Sequence, residues 1–586
     1  MTPASRILAA ACTLAGLALA GSGLSGCSTQ TDVSASTSVQ QKYTHVWLTI
    51  QEVWFNTSAT ATAEDTTWAK FPLATPVTLD LASLTAGTLG QIATALKVPA
   101  GTYAQLRLIP VDASAALSSS AQTAGAQFNS EADYVDTAGT THQAQLELLN
   151  PDKGIGVAST FSIKADTSQI LGTSTTTTDT TTTGTTDTTT GTTDTTTPVA
   201  AATSTSSTPV SLAISLDGVH DLVQFNYGTE TGVLLSPHTA AYDVAQAGTI
   251  RGQIDLTNVG TSVNSSGQAN IAVTAESVSS DGSHHTAVKT VAVATDGTFI
   301  LYPLATSSTA STSYDLVIHG PLIATVIIKA IPVAVGDPSS TSVASVATVA
   351  PRSANAFTFN LTAGAQTVPP GALIDLYQTL PQAGEIPYLI DQVPMDPFSR
   401  TLFADQSVSQ GTLDFGTYAS SSDVSLQTAT PVEGAGGYLL SAQAALFADG
   451  ALSSTIAPPQ SGSGPELVVV PTLLPADGAG SGTVSVTVAP STGGKYNHGQ
   501  LIVSHDGAVV QTVTIDSALT QNGGATLLVA GLPAGGGGGS FDNAVYYLSV
   551  RAWNSSNPAG TLTRQSYTTP VDLSTGSAAA QTLTVQ

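Results

Sequence analysis

The chain has 586 residues, with 40 acidic against 15 basic side chains, a formal net charge of −25 and only 9% charged residues overall. That length exceeds what one ordinary core supports and suggests about three to five domains, while the acidic sign argues against nucleic acid and anionic lipid as partners. Helix formers are scarce, Thr, Val, Ser and Gly are abundant and 30 prolines punctuate the chain, so the expected class is all-β, with several β-sandwich domains of Ig-like or prealbumin-like type in tandem.

At the N-terminus, Arg6 precedes an apolar run from Ile7 to Ala20 that is too short to span a bilayer, and Leu24-Ser25-Gly26-Cys27 closes it. This stretch resembles the signal peptide and lipobox of bacterial lipoproteins. The resemblance implies removal of residues 1–26 and acylation of Cys27, with palmitate among the chains, as a membrane anchor. Cys12 lies in the segment to be removed, so the exported chain would hold no disulfide. Ser28 stands where an Asp would resemble an inner-membrane retention signal, which makes the outer membrane of a Gram-negative cell the expected location, facing periplasm or surface. The partners expected are the membrane, through the lipid, and an envelope glycan or protein.

Residues 27–40 are polar and Ser/Thr-rich, and are expected to form a flexible tether. From Tyr43, Val46, Leu48 and Ile50 alternate with Trp47, Thr49 and Gln51, and Val53 and Phe55 continue in the opposite phase, which predicts a strand with a one-residue bulge near Gln51 and Glu52. Trp68–Leu73 and Val77–Leu81 read as strands, and Leu89–Leu96 as a short helix. Val98-Pro99-Ala100-Gly101-Thr102-Tyr103 then marks a tight turn ahead of a strand. Together with the Val46–Val53 strand and the Leu79-Asp80-Leu81 step, this resembles the DUF4382 family of bacterial lipoprotein domains. Ile214-Ser215-Leu216-Asp217 and Leu234-Leu235-Ser236-Pro237 are similar to the elements that end that domain. The resemblance implies a β domain over 41–247, interrupted by a Thr-rich low-complexity insertion at 173–197 expected to be disordered, and it carries no chemistry.

Thr249–Leu256, a turn at Asp296-Gly297, Thr298–Leu301 and Tyr314–Ile318 follow in an order that resembles the carboxypeptidase regulatory-like β-sandwich, which implies a seven-strand unit over 248–335. A Ser/Thr/Ala linker is expected at 336–349 and a β-rich domain with soft limits at 350–480. A sandwich-like domain is expected over 481–586, with His505-Asp506-Gly507-Ala508 as a hairpin turn.

No P-loop, G-x-S-x-G elbow or H-E-x-x-H helix occurs after Cys27, so no catalytic residue, metal ligand or cofactor is assigned. His284-His285 would point to opposite strand faces, and the pair reads as exposed turn residues. His45, His220 and His238 are scattered along the first domain. Glu131, Asp133 and Asp136 are the nearest approach to a calcium loop and read better as solvated. Trp47 is the one candidate ligand-binding residue, as an exposed ring that could hold a sugar, weighed against packing in a core. The expected function is a non-enzymatic binding or scaffolding protein of the cell envelope. The alternative is an envelope enzyme acting on glycans through paired carboxylates.

Overall fold

The computed structural model describes residues 28–136, 138–164, 209–227, 230–256, 271–307, 311–320, 323–336, 359–362, 372–395, 401–404, 412–420, 424–434, 437–447, 452–453, 455, 466–469, 479–490, 494–535 and 544–586. Cys27, the Thr-rich segment at 173–197 and nearly all of the linker expected at 336–349 lie outside them. The regular structure of the described residues is nearly all β-strand, in several sheets.

The first unit contains β1 (Ser28–Ser36), β2 (Tyr43–Asn56), β3 (Ala69–Asp80), β4 (Gly90–Pro99), β5 (Gly101–Pro110), β6 (Ser130–Val135), β7 (Thr141–Glu147), β8 (Ile155–Ile163), β9 (Val210–Leu216), β10 (Leu222–Tyr227), β11 (Glu230–Leu235) and β12 (Thr239–Asp243). One sheet has the order β12-β9-β1-β4; the other runs β10-β11-β7-β6-β2-β5-β8, with β3 also on β2. The long strand β2 slips register between Ile50 and Glu52, the predicted bulge, so Val46, Leu48, Ile50, Val53 and Phe55 all enter one core. The Pro99-Ala100-Gly101 corner carries the chain from one sheet to the other, and the Tyr103 hydroxyl donates back to the Pro99 carbonyl at 2.7 Å.

Two expectations fail here for one reason. Residues 28–36, read as tether, are the interior strand β1, antiparallel to β4 and parallel to β9. Thr29, Thr31, Val33 and Ala35 turn inward, and strand partners on both sides satisfy the backbone that a Ser/Thr-rich segment would otherwise give to water. Leu89–Leu96, read as a helix, is mostly β4. Its irregularity at Ala95 (φ 54°) is held by the Ala95 N–H donating to Asp32 Oδ1 at 2.8 Å. In both cases the neighbouring strand outweighs local propensity.

The second unit comprises β13 (Ala247–Gln253), β14 (Ala272–Val278), β15 (His285–Ala292), β16 (Thr298–Ala305), β17 (Thr312–His319) and β18 (Val326–Val333). β13 and β16 face a sheet of order β15-β14-β17-β18, and that sheet does not end at the expected boundary. The next stretch supplies β19 (Phe359–Thr362), β20 (Leu373–Gln378), β21 (Tyr388–Pro394), β22 (Thr401–Ala404), β23 (Leu413–Thr417), β24 (Gln427–Ala429), β25 (Leu439–Gln443) and β26 (Glu466–Val469). Of these, β23 pairs in parallel with β18 and β24 follows it. Val317 and Ile327 of the second unit also pack into the core under β21-β20-β25. The second and third units therefore share a sheet and a core.

The last unit is a two-sheet sandwich of β27 (Gly480–Pro490), β28 (His498–His505), β29 (Ala508–Thr514), β30 (Ala525–Ala534), β31 (Val545–Trp553), β32 (Thr563–Asp572) and β33 (Gln581–Val585), in orders β30-β27-β33 and β29-β28-β31-β32. It folds back against the first unit. Leu149, Phe225 and Leu234 meet Ile502 and Val509, and Asn150 Oδ1 accepts from the Ser504 and Ser549 hydroxyls. At the centre, Glu147 at the end of β7 pairs with buried Arg551 of β31 and with Arg564 of β32, the second pair at 3.3 Å. The Arg551 guanidinium also lies 3.5 Å from the Phe225 ring centroid. A second joint pairs Arg107 with Asp506, the residue read as a simple turn former. Asp506 does make the β28–β29 turn at φ 51°, and the Gly156 N–H donates to its carbonyl at 3.2 Å; a Cβ on Gly156 would stand 2.7 Å from the Asp506 side chain.

Removing one partner of a buried ion pair leaves the other charge uncompensated. Glu147→Ala is therefore expected to destabilise the protein by about 3–5 kcal/mol. Urea unfolding followed by tryptophan fluorescence checks this, and a change under about 0.5 kcal/mol, the range of neutral surface substitutions, would show that the joint contributes nothing.

Candidate functional site

Trp47 is buried, not exposed. Its ring stacks on His45 at 4.5 Å between centroids and is covered by Ala121 and Ala126 at the short helix α1 (Ser119–Ala124). Trp54 and Trp68 lie on the same side of the sheet beyond the bulge, 6.0 Å apart. The Trp54 indole donates to Glu52 at 2.6 Å and the Trp68 indole to the Thr62 carbonyl at 2.7 Å. The three rings make local cores beneath loops, so none of them is an open stacking platform. Trp47→Ala is expected to cost about 3–5 kcal/mol of stability, as large aromatic truncations in cores do; thermal and urea melts of the variant test this.

The other sequence candidates also separate. Glu131 and Asp133 are buried on β6, with both Gln127 and Phe128 N–H groups donating to Glu131 Oε2. Asp136 sits in the exposed turn, bonded to His142 at 2.8 Å. Burial pushes the Glu131 carboxyl up, with its two backbone donors opposing. Among the described residues, no group of three or more His, Cys, Asp or Glu is placed to hold a metal ion. His284 and His285 are buried, contrary to the exposed-turn reading. His284 meets the edge of Tyr377, while His285 stacks on Tyr388 at 3.9 Å and pairs with Asp315 at 3.2 Å.

What does converge is the junction of the first three units. The Asp217–Asp221 turn and the Ser236-Pro237-His238 strand end close on each other. The Asp217 N–H donates to the His238 carbonyl at 3.2 Å, and the Ser236 N–H to the Asp221 carbonyl at 2.9 Å. Asp217 pairs with His220 at 2.7 Å, and Asp221 with the His238 ring at 2.8 Å. From β17, His319 faces Asp391 of β21 at 3.5 Å. From β15, Lys289 reaches across the joint to the Ser215 hydroxyl at 2.7 Å and the Ser36 hydroxyl at 3.3 Å; these serines are opposed on the parallel strands β1 and β9. A cavity of about 230 Å³ opens beside this cluster, bordered by Ser215, Asp217, His238, Lys289, Gln392 and Gln443.

Burial sets the protonation of the cluster. It raises the Asp221 carboxyl to about 7 against the opposing pull of His238, and raises Asp391 to about 7 against His220. It would also raise Asp217, but His220, then His238 and Lys289, hold that carboxyl below its ordinary value. It would lower His220 and His238, yet their Asp217 and Asp221 partners keep both imidazoles above theirs. His319, desolvated and close to His220, falls to about 3, and desolvated Lys289 to about 8 with Asp217 opposing. Perturbed groups gathered at a cavity are a signature of functional sites. Sequence reasoning missed this one because its members are spread over residues 36–443 and no fixed spacing relates them.

A family model described as "Domain of unknown function (DUF4382)" matches residues 31–237, a stretch that takes in most of β1 and ends at the Ser236-Pro237 closure of the first unit. No curated protein matches the chain. Among solved structures, a DUF3823 family protein from Bacteroides uniformis is 9% identical, covering 56% of this chain and 99% of its own, at a TM-score of 0.12. A streptococcal ancillary pilin is 11% identical, covering 57% and 98%, at 0.11. The BcpA major pilin subunit of Bacillus cereus is 11% identical, covering 58% and 99%, also at 0.11.

Below the unfolded carboxylate pKa of about 3.9, both states of the chain bind a proton at Asp221. From there to about 7 only the folded state keeps it, so this contribution to stability is full at low pH and lost as pH rises through 7. Asp221→Asn keeps an acceptor for His238 and removes the titration. The variant is expected to show a smaller fall in unfolding free energy between pH 5 and pH 8 than the parent protein, measured by urea unfolding at the two pH values.

Proposed function

We propose that this chain is a cell-envelope lipoprotein that binds or scaffolds and does not turn over substrate. The observation that carries the reading is the way its β units are joined. Glu147 with Arg551 and Arg564, Arg107 with Asp506, Lys329 with Glu385 at 2.6 Å, and the histidine-carboxylate pairs of the junction each tie one unit to another or close the face that meets it. Such joints suit a body that presents surfaces at a set geometry, and they use carboxylates that a glycosidase would leave open toward a sugar.

The anchor rests on the lipobox-like Leu24–Cys27 stretch. Ser28, the next residue, is already in β1, so an acylated Cys27 would hold the four-stranded sheet directly at the bilayer with no spacer between. No helix among the described residues is long and apolar enough to cross a membrane. Ser28 following the cysteine supports outer-membrane delivery in a Gram-negative cell. The second unit, with β13 and β16 against β14, β15, β17 and β18, supports a carboxypeptidase regulatory-like sandwich as one of the presented modules. The partner would be an envelope glycan or protein met by a strand face or loop tips.

Cys27→Ala is expected to move the protein from the salt-washed membrane fraction into the soluble extract, read by immunoblot. Unchanged membrane association would overturn the anchor. Steady cleavage of envelope glycans by the purified protein, abolished by one Asp or Glu substitution that leaves folding intact, would overturn the non-enzymatic reading.

A further inference from the structure

We propose that the three-unit junction cavity is a binding site for a small organic carboxylate on a polar body, such as an α-hydroxy or α-amino acid, with the Lys289 ammonium as its anion contact. Lys289 is 7% exposed and lies on β15 opposite Ala275. Its two hydrogen-bond partners, Ser215 and Ser36, are both hydroxyls from the first unit. The carboxylates around it are engaged elsewhere: Asp217 by His220, Asp221 by His238, Asp391 by His319 and Asp375 by the Gln392 amide at 2.9 Å. The cluster thus gives each of its first three acids an imidazole and leaves the ammonium, which has three donors to place, hydrogen-bonded to neutral hydroxyls, with Asp217 acting on it only through space. A buried cation is costly unless it is paired, and a cavity of about 230 Å³ adjoins this one.

The rest of the lining fits the class. Thr290, Gln392 and Gln443 add neutral hydrogen-bonding groups, and His238, with 35% of its side chain exposed, is a second lining donor. Among the described residues no Phe, Tyr or Trp borders the cavity, which disfavours a stacked sugar or base. The cavity volume admits a molecule of a few heavy atoms and not a polymer strand. Lys289 is already drawn down to about 8 by burial, so an incoming anion would restore its proton, and binding near pH 8 would take up protons from solution.

The test is calorimetric titration of the full folded chain with acetate, glycolate and glycine, and with inorganic phosphate as the other oxyanion, at pH 8 in two buffers of different ionisation heat. Saturable binding of a carboxylate with proton uptake is expected. Lys289→Met should weaken it roughly 10- to 100-fold, the loss of one charged hydrogen bond. Lys289→Arg should retain part of it. Gln443→Ala, which removes a lining amide that belongs to none of the ion pairs, should weaken glycolate and glycine more than acetate and serves if Lys289→Met does not fold. Absence of saturable binding by the parent protein overturns the proposal, as does binding that Lys289→Met preserves, and phosphate binding as tightly as the carboxylates overturns the ligand class.

Discussion

The Glu147 carboxylate, set between Arg551 and Arg564, is the contact on which the rest of this architecture depends. It closes the chain on itself by tying the last unit to the first across more than 400 residues. A buried carboxylate or guanidinium alone would be costly, and this group is tolerated because Glu147 pairs with both guanidiniums, Arg564 keeps part of its side chain in solvent and Phe225 covers the Arg551 plane. Without this closure the apolar faces of Leu149, Phe225 and Leu234 would lie open to water.

The same economy of charge recurs through the molecule. With 15 lysines and arginines in 586 residues, the chain places Arg107, Lys289, Lys329, Arg551 and Arg564 where one unit meets another. These joints do the work that disulfides do in some other proteins, and they differ from disulfides in responding to protons. The junction of the first three units is the most sensitive, because Asp221 and Asp391 titrate near neutrality and Lys289 only slightly above it.

The units are less separate than their sequence boundaries imply. β23 extends the sheet of the second unit in parallel, and Val317 and Ile327 belong to the core of the third. A ligand in the junction cavity would touch all three of the first units at once, so occupancy and the relative placement of the units would be linked.

Period-two alternation in Val46–Ile50 and the phase reversal at Val53 sufficed to place β2 and its bulge, and His505-Asp506-Gly507 to place a hairpin, because such signals act over a few residues. The all-β class was legible for the same reason. Tertiary structure alone decided that the Ser/Thr-rich stretch after Cys27 is an interior strand: it is ordered by hydrogen bonds to β4 and β9, 55–71 and 179 positions away, together with the burial of Val33 and Ala35 that this pairing brings about. It also decided that Trp47 is core and that Asp506 is an ion-pair partner as well as a turn residue. The junction site was the least legible of all, since Ser36, Asp217, Lys289 and Gln392 acquire a common environment only when three β units pack. Electrostatic partnership depends on distance in space, which a local pattern of residues does not encode.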